Sequence, residues 1–149
     1  MESRKYKVYT DGAQSSKLEK GGWAFLAVDD QGSEHEESGV LLATTNNQME
    51  LLAVIRALQW FHTYKSPETD EIQILSDSKY VVLGITEWIH SWKGNNWRGR
   101  AGPVKNREFW EVLDVLRQNI QVSFNWVKGH AGEQYNERVD KLAKAQAHR

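Results

Sequence analysis

Residues 72–80 read IQILSDSKY: a short apolar run, an aspartate between two serines, then a lysine. The run reads as a buried strand that delivers a carboxylate at its very end. One other stretch repeats the arrangement. In YKVYTDGA, residues 6–13, Asp11 follows a hydroxyl residue and precedes a small one. The fold turns on how these two strands lie relative to each other.

The chain around them supplies the answer. KYKVYTD alternates, GGWAFLAVD is apolar after a glycine pair, and SGVLLATT is apolar again. The connections AQSSKLEKGG and DDQGSE are turn-rich, so these three segments are expected to form an antiparallel meander. From Asn47 the period changes: Leu51, Val54, Ile55, Leu58 and Phe61 or His62 recur at helical spacing up to YKSPETD. After the Asp77 strand, Val81, Ile85, Trp88 or Ile89 and Trp92 mark a second helix. KGNNWRGRAGPVKN is a Gly-rich basic loop, REFWEVLDVLRQN a third helix, QVSFNWV a strand, KGHAGEQ a loop, and a last helix runs from about Tyr135 to Ala147. The order β-β-β-α-β-α-α-β-α predicts an α/β fold. Its sheet is mixed and five-stranded, a three-strand antiparallel meander plus two parallel strands, with helices on both faces. Right-handed crossovers set the strand of Asp77 parallel to that of Asp11.

Composition bounds the chemistry. The 149 residues suit one domain over 1–149, and 40% apolar with 26% charged residues is ordinary for a globular chain. Seven tryptophans are more than such a core usually needs. The absence of cysteine excludes disulfides, thiolate nucleophiles and Cys-ligated zinc. Runs such as GVLLA (39–43) and LLAVI (51–55) are far too short to span a bilayer, and MESRKYKVYTDG lacks the apolar stretch of a signal peptide, so a cytoplasmic protein without a membrane partner is expected. The net charge of -1 hides an asymmetry. From Lys93 to Arg107 the charged residues are Lys93, Arg98, Arg100, Lys105 and Arg107, with no acid among them, while SEHEES (33–38) gathers acid elsewhere. One basic face on a near-neutral protein fits a phosphate backbone.

Each acidic residue has a plain structural reading. Asp11 with Gly12 is a turn signal, Glu50 fits a capping box with Asn47, Asp77 fits an N-cap, and Asp140 an ion pair with Lys144. Their joint placement argues otherwise. Ligands of open sheets collect at the carboxyl ends of parallel strands, where Asp11 and Asp77 stand, and Glu50 lies in the first turn of the helix leading to the Asp77 strand. Crowded carboxylates repel unless cations join them, and an all-oxygen set with an open side suits Mg²⁺ or Mn²⁺.

The segments YTDGA, TTNNQMELLAVIRAL, LSDSKYV, GITEWIHSW, PVKN and WVKGHAGEQYNERVDKLA together resemble type 1 ribonuclease H of the cellular, single-domain kind, over residues 6 to 147. The resemblance implies the ribonuclease H-like fold and hydrolysis of the RNA strand of RNA–DNA hybrids, giving 5′-phosphate and 3′-hydroxyl ends. It implies two Mg²⁺ ions with substrate bound, Mn²⁺ as a substitute, held by Asp11, Glu50, Asp77 and Asp140. It also implies roles for His130 in proton movement or product release and for Glu137 in metal exchange or product departure. Their plain alternatives are a solvent-exposed loop histidine and an ion pair with Lys141. Gly12, Ala13 and Asn46 match positions suited to 2′-hydroxyls and minor-groove base edges, and Thr45 and Asn47 positions that hold a DNA phosphate. Asn47 also reads as the helix N-cap. The basic loop resembles a handle for the DNA strand: Lys93, Arg98, Arg100, Lys105 and Arg107 contact phosphates, and Trp88, Trp92 and Trp97 pack it or stack on sugars.

Lys79 stands where many members carry glutamine, and the handle carries glycines at 94, 99 and 102, so weaker and more salt-sensitive binding is expected. A chain with no tail after Arg149 and no preceding hybrid-binding domain is expected. No protein partner is implied and a monomer is expected. Alternatives are the ribonuclease H domain of a reverse transcriptase, disfavoured by the handle and the start MESRKYK, and a non-catalytic hybrid-binding module, disfavoured by four intact carboxylates. An integrase or proofreading exonuclease relative is disfavoured by TNN and VKGHAG.

Overall fold

The computed structural model describes residues 3–129 and 133–149. One five-stranded sheet has the order β3 (Glu34–Leu42), β2 (Lys20–Asp29), β1 (Lys5–Ser15), β4 (Glu71–Ser76), β7 (Gln121–Trp126). Strands β1 (Lys5–Ser15), β2 (Lys20–Asp29) and β3 (Glu34–Leu42) form the antiparallel meander. Strands β4 (Glu71–Ser76) and β7 (Gln121–Trp126) join β1 in parallel. The last parallel pair of β1 and β4 is Thr10 with Ser76, so Asp11 and Asp77 come next, side by side on neighbouring strands. The mixed sheet expected from the sequence is borne out.

Helices cover both faces. Helix α1 (Asn46–Tyr64) lies on one, and α5 (Gln134–Ala147) on the other. Consecutive glycines of β2 show the alternation: a Cβ on Gly21 would strike Met49 of α1, and one on Gly22 would strike Ala143 of α5. The larger core is built on the α1 side from Val8, Phe25, Leu51, Leu58, Phe61 and Ile74. A smaller one on the α5 side holds Ala24, Val139 and Ala143.

The meander differs from expectation at its edge. Strand β3 takes in the acidic run, starting at Glu34, and its apolar end is not core: Val40, Leu41 and Leu42 are exposed. An edge strand has one neighbour and one covered stretch. Glu34 and Glu36 bind Arg138 of α5 at 2.6 and 3.1 Å, and His35 stacks on Trp60 of α1.

The second helix is continuous from Lys79 to Gly94, as α2 (Lys79–Leu83), a π-helical turn (Gly84–Trp88) and α3 (Ile89–Gly94). Val81, Ile85 and Ile89 are fully buried, so the apolar stripe runs through Ile89, and Trp88 is exposed. The turn lies at Gly84, where a Cβ would meet the Trp110 ring at 2.1 Å. Next comes the basic segment, in which β5 (Arg98–Gly99) and β6 (Gly102–Pro103) make a minimal hairpin, followed by α4 (Arg107–Leu116). The base of that segment is pinned. Asp114, 7% exposed, accepts from Lys93 Nζ and Arg117 Nε at 2.9 Å each, and Arg117 donates to the Ile85 carbonyl at 2.7 Å. These two cations hold the Asp114 carboxyl below its ordinary range against the opposing effect of burial.

Candidate metal centre and nucleic-acid interface

The Asp-Gly pair at 11 and 12 is not a turn. Both residues lie inside β1, opposite Ala24 and Trp23 of β2. Glycine is needed for another reason: a Cβ at Gly12 would lie 2.5 Å from the Glu50 nitrogen and the Met49 carbonyl carbon. The α1 backbone therefore rests directly on β1, and Glu50 is brought beside Asp11 by main-chain contact. The helix start is also displaced from the expected one. Its N-cap is Thr45, not Asn47, and the capping box is completed by Gln48, with Gln48 N donating to Thr45 Oγ1 at 3.2 Å and Thr45 N to Gln48 Oε1 at 3.1 Å. Glu50 is thereby excluded from capping. Gln48 Nε2 also donates to Asn106 Oδ1 at 3.1 Å, and that contact across the molecule holds the Thr45 register. The N-cap of α2 is likewise Ser78, which leaves Asp77 out of capping.

Carboxylate oxygens of Asp11, Glu50 and Asp77 lie within 4.8 Å of one another. Asp140 lines the same cleft with Asp11, Asp77, Asn136 and Glu137. Its carboxyl is within hydrogen-bonding reach of Asp11 and is also held at 3.1 Å by Lys144, the ion pair that its helical spacing suggested. The four carboxylates singled out in the sequence thus meet in one place, three tightly and Asp140 on the cleft wall. Glu137 lines the cleft, and among the described residues it makes no ion pair with Lys141. His130 lies outside the described residues. The loop leading to it begins hard against the site: a Cβ on Gly129 would be 2.7 Å from Asp77 Oδ2.

Crowding leaves an electrostatic signature. Burial, then the charge of Asp77 and contact with Asp140, push the Asp11 carboxyl up to about 8, although Gly12 N–H donates to its Oδ1 at 2.9 Å. Burial, then Asp11 and Asp77, hold Glu50 well above the usual carboxylate range, and its Oε1 is buried with no hydrogen-bond partner among the described residues. A buried acceptor with no donor carries a desolvation cost that a hard cation would offset. The donor set is all oxygen and anionic, so it fits a divalent cation of the magnesium or calcium kind.

The proposed nucleic-acid contacts sort into free and engaged groups. Thr45, Asn46 and Asn47 are exposed at the α1 N-terminus, and Lys79 on the rim two residues past Asp77. Ala13 is buried, and the Gly12 amide is already used by Asp11. Arg98, Arg100 and Lys105 are exposed and make no ion pair among the described residues. Lys93 is bound to Asp114, and Arg107 pairs with Glu111 at 2.7 Å while lying over Trp97. Trp92 and Trp97 pack against the main core and Trp88 against Trp92, so the three rings chiefly hold the segment. Sequence reasoning missed two groups near the site. Asn136 stands one turn before Asp140, a spacing that signals a shared helix face. Asn106 has a left-handed backbone, φ 62°, and links Gln48 to the Tyr80 hydroxyl.

Comparison with known proteins agrees with this geometry. The RNase H family model matches residues 3–148. A ribonuclease H from Mesorhizobium japonicum is 46% identical over 143 residues, covering 95% of this chain and 77% of that protein. One from Methylobacillus flagellatus is 48% identical over 145 residues, covering 96% and 91%. Among solved structures, LC9-RNase H1, described as a type 1 RNase H with the type 2 active-site motif, aligns with TM-score 0.84 at 27% identity, over 99% of this chain and 74% of that one. RNase H1 of the halophilic archaeon Halobacterium salinarum shares the fold, with TM-score 0.72 at 22% identity over 95% and 96%. The chain belongs to the ribonuclease H family.

Proposed function

We propose that this chain is an Mg²⁺-dependent endonuclease that hydrolyses the RNA strand of RNA–DNA hybrids. The observation that carries the reading is the meeting of the buried Asp11 and Glu50 with the half-buried Asp77, carboxylate oxygens within 4.8 Å and Glu50 Oε1 unpartnered among the described residues, in a ribonuclease H chain. Asp11, Glu50, Asp77 and Asp140 would hold the metal, two ions when substrate is bound, with Mn²⁺ as a substitute. Bound divalent ions supply charge neutralisation at the scissile phosphate and at the leaving 3′-oxygen.

The chain's own residues do the rest. Asp11, whose carboxyl lies against those of Glu50, Asp77 and Asp140, would be the central ligand of the set. Water adds to phosphorus and the P–O3′ bond breaks; the water proton departs and the 3′-oxygen gains one. His130 is assigned to that proton traffic or to product release, and Glu137 to metal exchange or product departure. Thr45 and Asn47 receive a DNA phosphate, and Asn46 and Lys79 face the minor groove, where 2′-hydroxyls mark the RNA strand without sequence reading; Gly12 and Ala13, engaged within the fold, back that surface. Arg98, Arg100 and Lys105 are the cations available for phosphates, and we assign Lys93 to anchoring the handle through Asp114. We further propose that residues 1–149 act as one domain, as a monomer, in the cytoplasm.

The test is cleavage of a hybrid labelled on its RNA strand, with duplex RNA and duplex DNA alongside. Cutting of the hybrid's RNA strand alone, dependent on Mg²⁺, is expected. Equal cutting of duplex DNA, or full cutting in chelator, would contradict the proposal.

A further inference from the structure

The turn that carries Asp77 is held from one side by a residue without a role so far. Trp126 ends β7, an edge strand, opposite Ser76 in register, and its side chain is 44% exposed. Its indole Nε1–H donates to the backbone carbonyl of Asp77 at 3.0 Å. The Lys79 ammonium lies over the same ring, 4.8 Å from its centroid. The next residue already continues the ladder, Val127 N donating to Ser76 O at 2.9 Å, so the indole bond is additional to strand pairing. Both functions of an exposed tryptophan, a directional donor and a π face, are therefore directed at the two ends of the segment 77–79.

We propose that Trp126 is a positioning residue with two separable effects. Its N–H fixes the Asp77 turn, and with it the orientation of the Asp77 carboxylate toward Asp11 and Glu50. Its face holds the Lys79 ammonium on the rim of the cleft, where the hybrid would lie. The inference rests on the function proposed above.

Chemistry separates the two effects. Trp126→Phe keeps a π face and removes the donor, leaving the Asp77 carbonyl without it. Mn²⁺ affinity is expected to fall about three- to tenfold, the worth of one such bond. The Mg²⁺ concentration for half-maximal cleavage should rise in step, while KM for the hybrid changes less than about twofold. Trp126→Leu removes both functions, so the same loss in metal affinity is joined by a rise in KM of about two- to fivefold. Lys79→Met should raise KM and leave Mn²⁺ affinity as it is.

The experiment is calorimetric titration of Mn²⁺ into the full chain and these variants, with cleavage kinetics and thermal midpoints measured in parallel. Unchanged Mn²⁺ affinity in Trp126→Phe would overturn the inference. So would a loss that merely follows a fall in thermal midpoint, with metal affinity and KM worsening together in both Trp126 variants. A wild-type protein that binds Mn²⁺ and leaves the hybrid intact would sink the function proposed above, while the comparison with Trp126→Phe would still decide the role of Trp126.

Discussion

Replacing Asp11 by asparagine in the metal-free protein removes the negative charge at the centre of the cluster. It keeps the side-chain shape and an oxygen to accept from Gly12 N–H, the bond of 2.9 Å. The Asp11 carboxyl has an ordinary value of 3.8 and is pushed up to about 8 in the fold. Between those values the folded chain holds a proton that the unfolded chain has released. Its contribution to stability is complete below about pH 4 and is lost as pH rises through about 8. At pH 7, about three pH units above the ordinary value and still below the folded one, about 1.4 kcal/mol per pH unit gives an upper figure of about 4 kcal/mol. Glu50 shares the repulsion and relaxes when Asp11 is neutral, so about 2–4 kcal/mol is expected from the substitution. For a chain of this size that corresponds to a rise of about 5–15 °C in Tm. The assay is thermal unfolding in chelator at pH 5 and pH 8. The wild type should lose stability across that interval, Asp11→Asn should lose less, and the gap should narrow at pH 5. Added Mg²⁺ should stabilise the wild type more than the variant. Equal pH slopes for the two proteins, or a less stable variant at pH 8, would refute the reasoning.

Other perturbations test other parts of the structure. Replacing Arg98, Arg100 and Lys105 together by alanine should raise KM for the hybrid much more than it lowers kcat, and the salt dependence of binding should weaken by about two to three units of log–log slope. Steady-state kinetics at several salt concentrations measure both; an equal loss in kcat would place those cations in the chemistry. Gly129→Ala should cut the cleavage rate about tenfold or more with little change in Tm, because its Cβ would stand 2.7 Å from Asp77 Oδ2. Gly84→Ala should do the reverse, lowering stability by about 1–3 kcal/mol in urea unfolding, since its Cβ would meet the Trp110 ring at 2.1 Å.

What the sequence revealed follows from the range of each interaction. The meander and the parallel placement of β4 were legible because they rest on local patterns, glycine-bounded apolar runs and a change of period near Asn47, joined by a handedness rule. Local patterns also misled. Thr45 with Gln48 and Asn47 with Glu50 both fit a capping box, and the one formed has Gln48 bound also by Thr44 and by Asn106, far along the chain. Asp11-Gly12 resembles a turn because a glycine serving main-chain contact with α1 looks in sequence like one serving a bend. The π-helical turn begins at Gly84 against the Trp110 ring, and Lys93 is engaged by Asp114, both partners lying on α4, out of reach of local patterns. Within the site, the carboxylates could be placed from strand ends and helix turns. Trp126 could not, since its donor reaches across to a neighbouring strand's end.

The central claim is that Asp11, Glu50 and Asp77 together bind a divalent cation. The most direct measurement is anomalous scattering from crystals grown with Mn²⁺ at concentrations that support cleavage. A peak ligated by oxygens of Asp11, Glu50 and Asp77 is predicted. Manganese bound only elsewhere, with these three carboxylates left without it, would contradict the account.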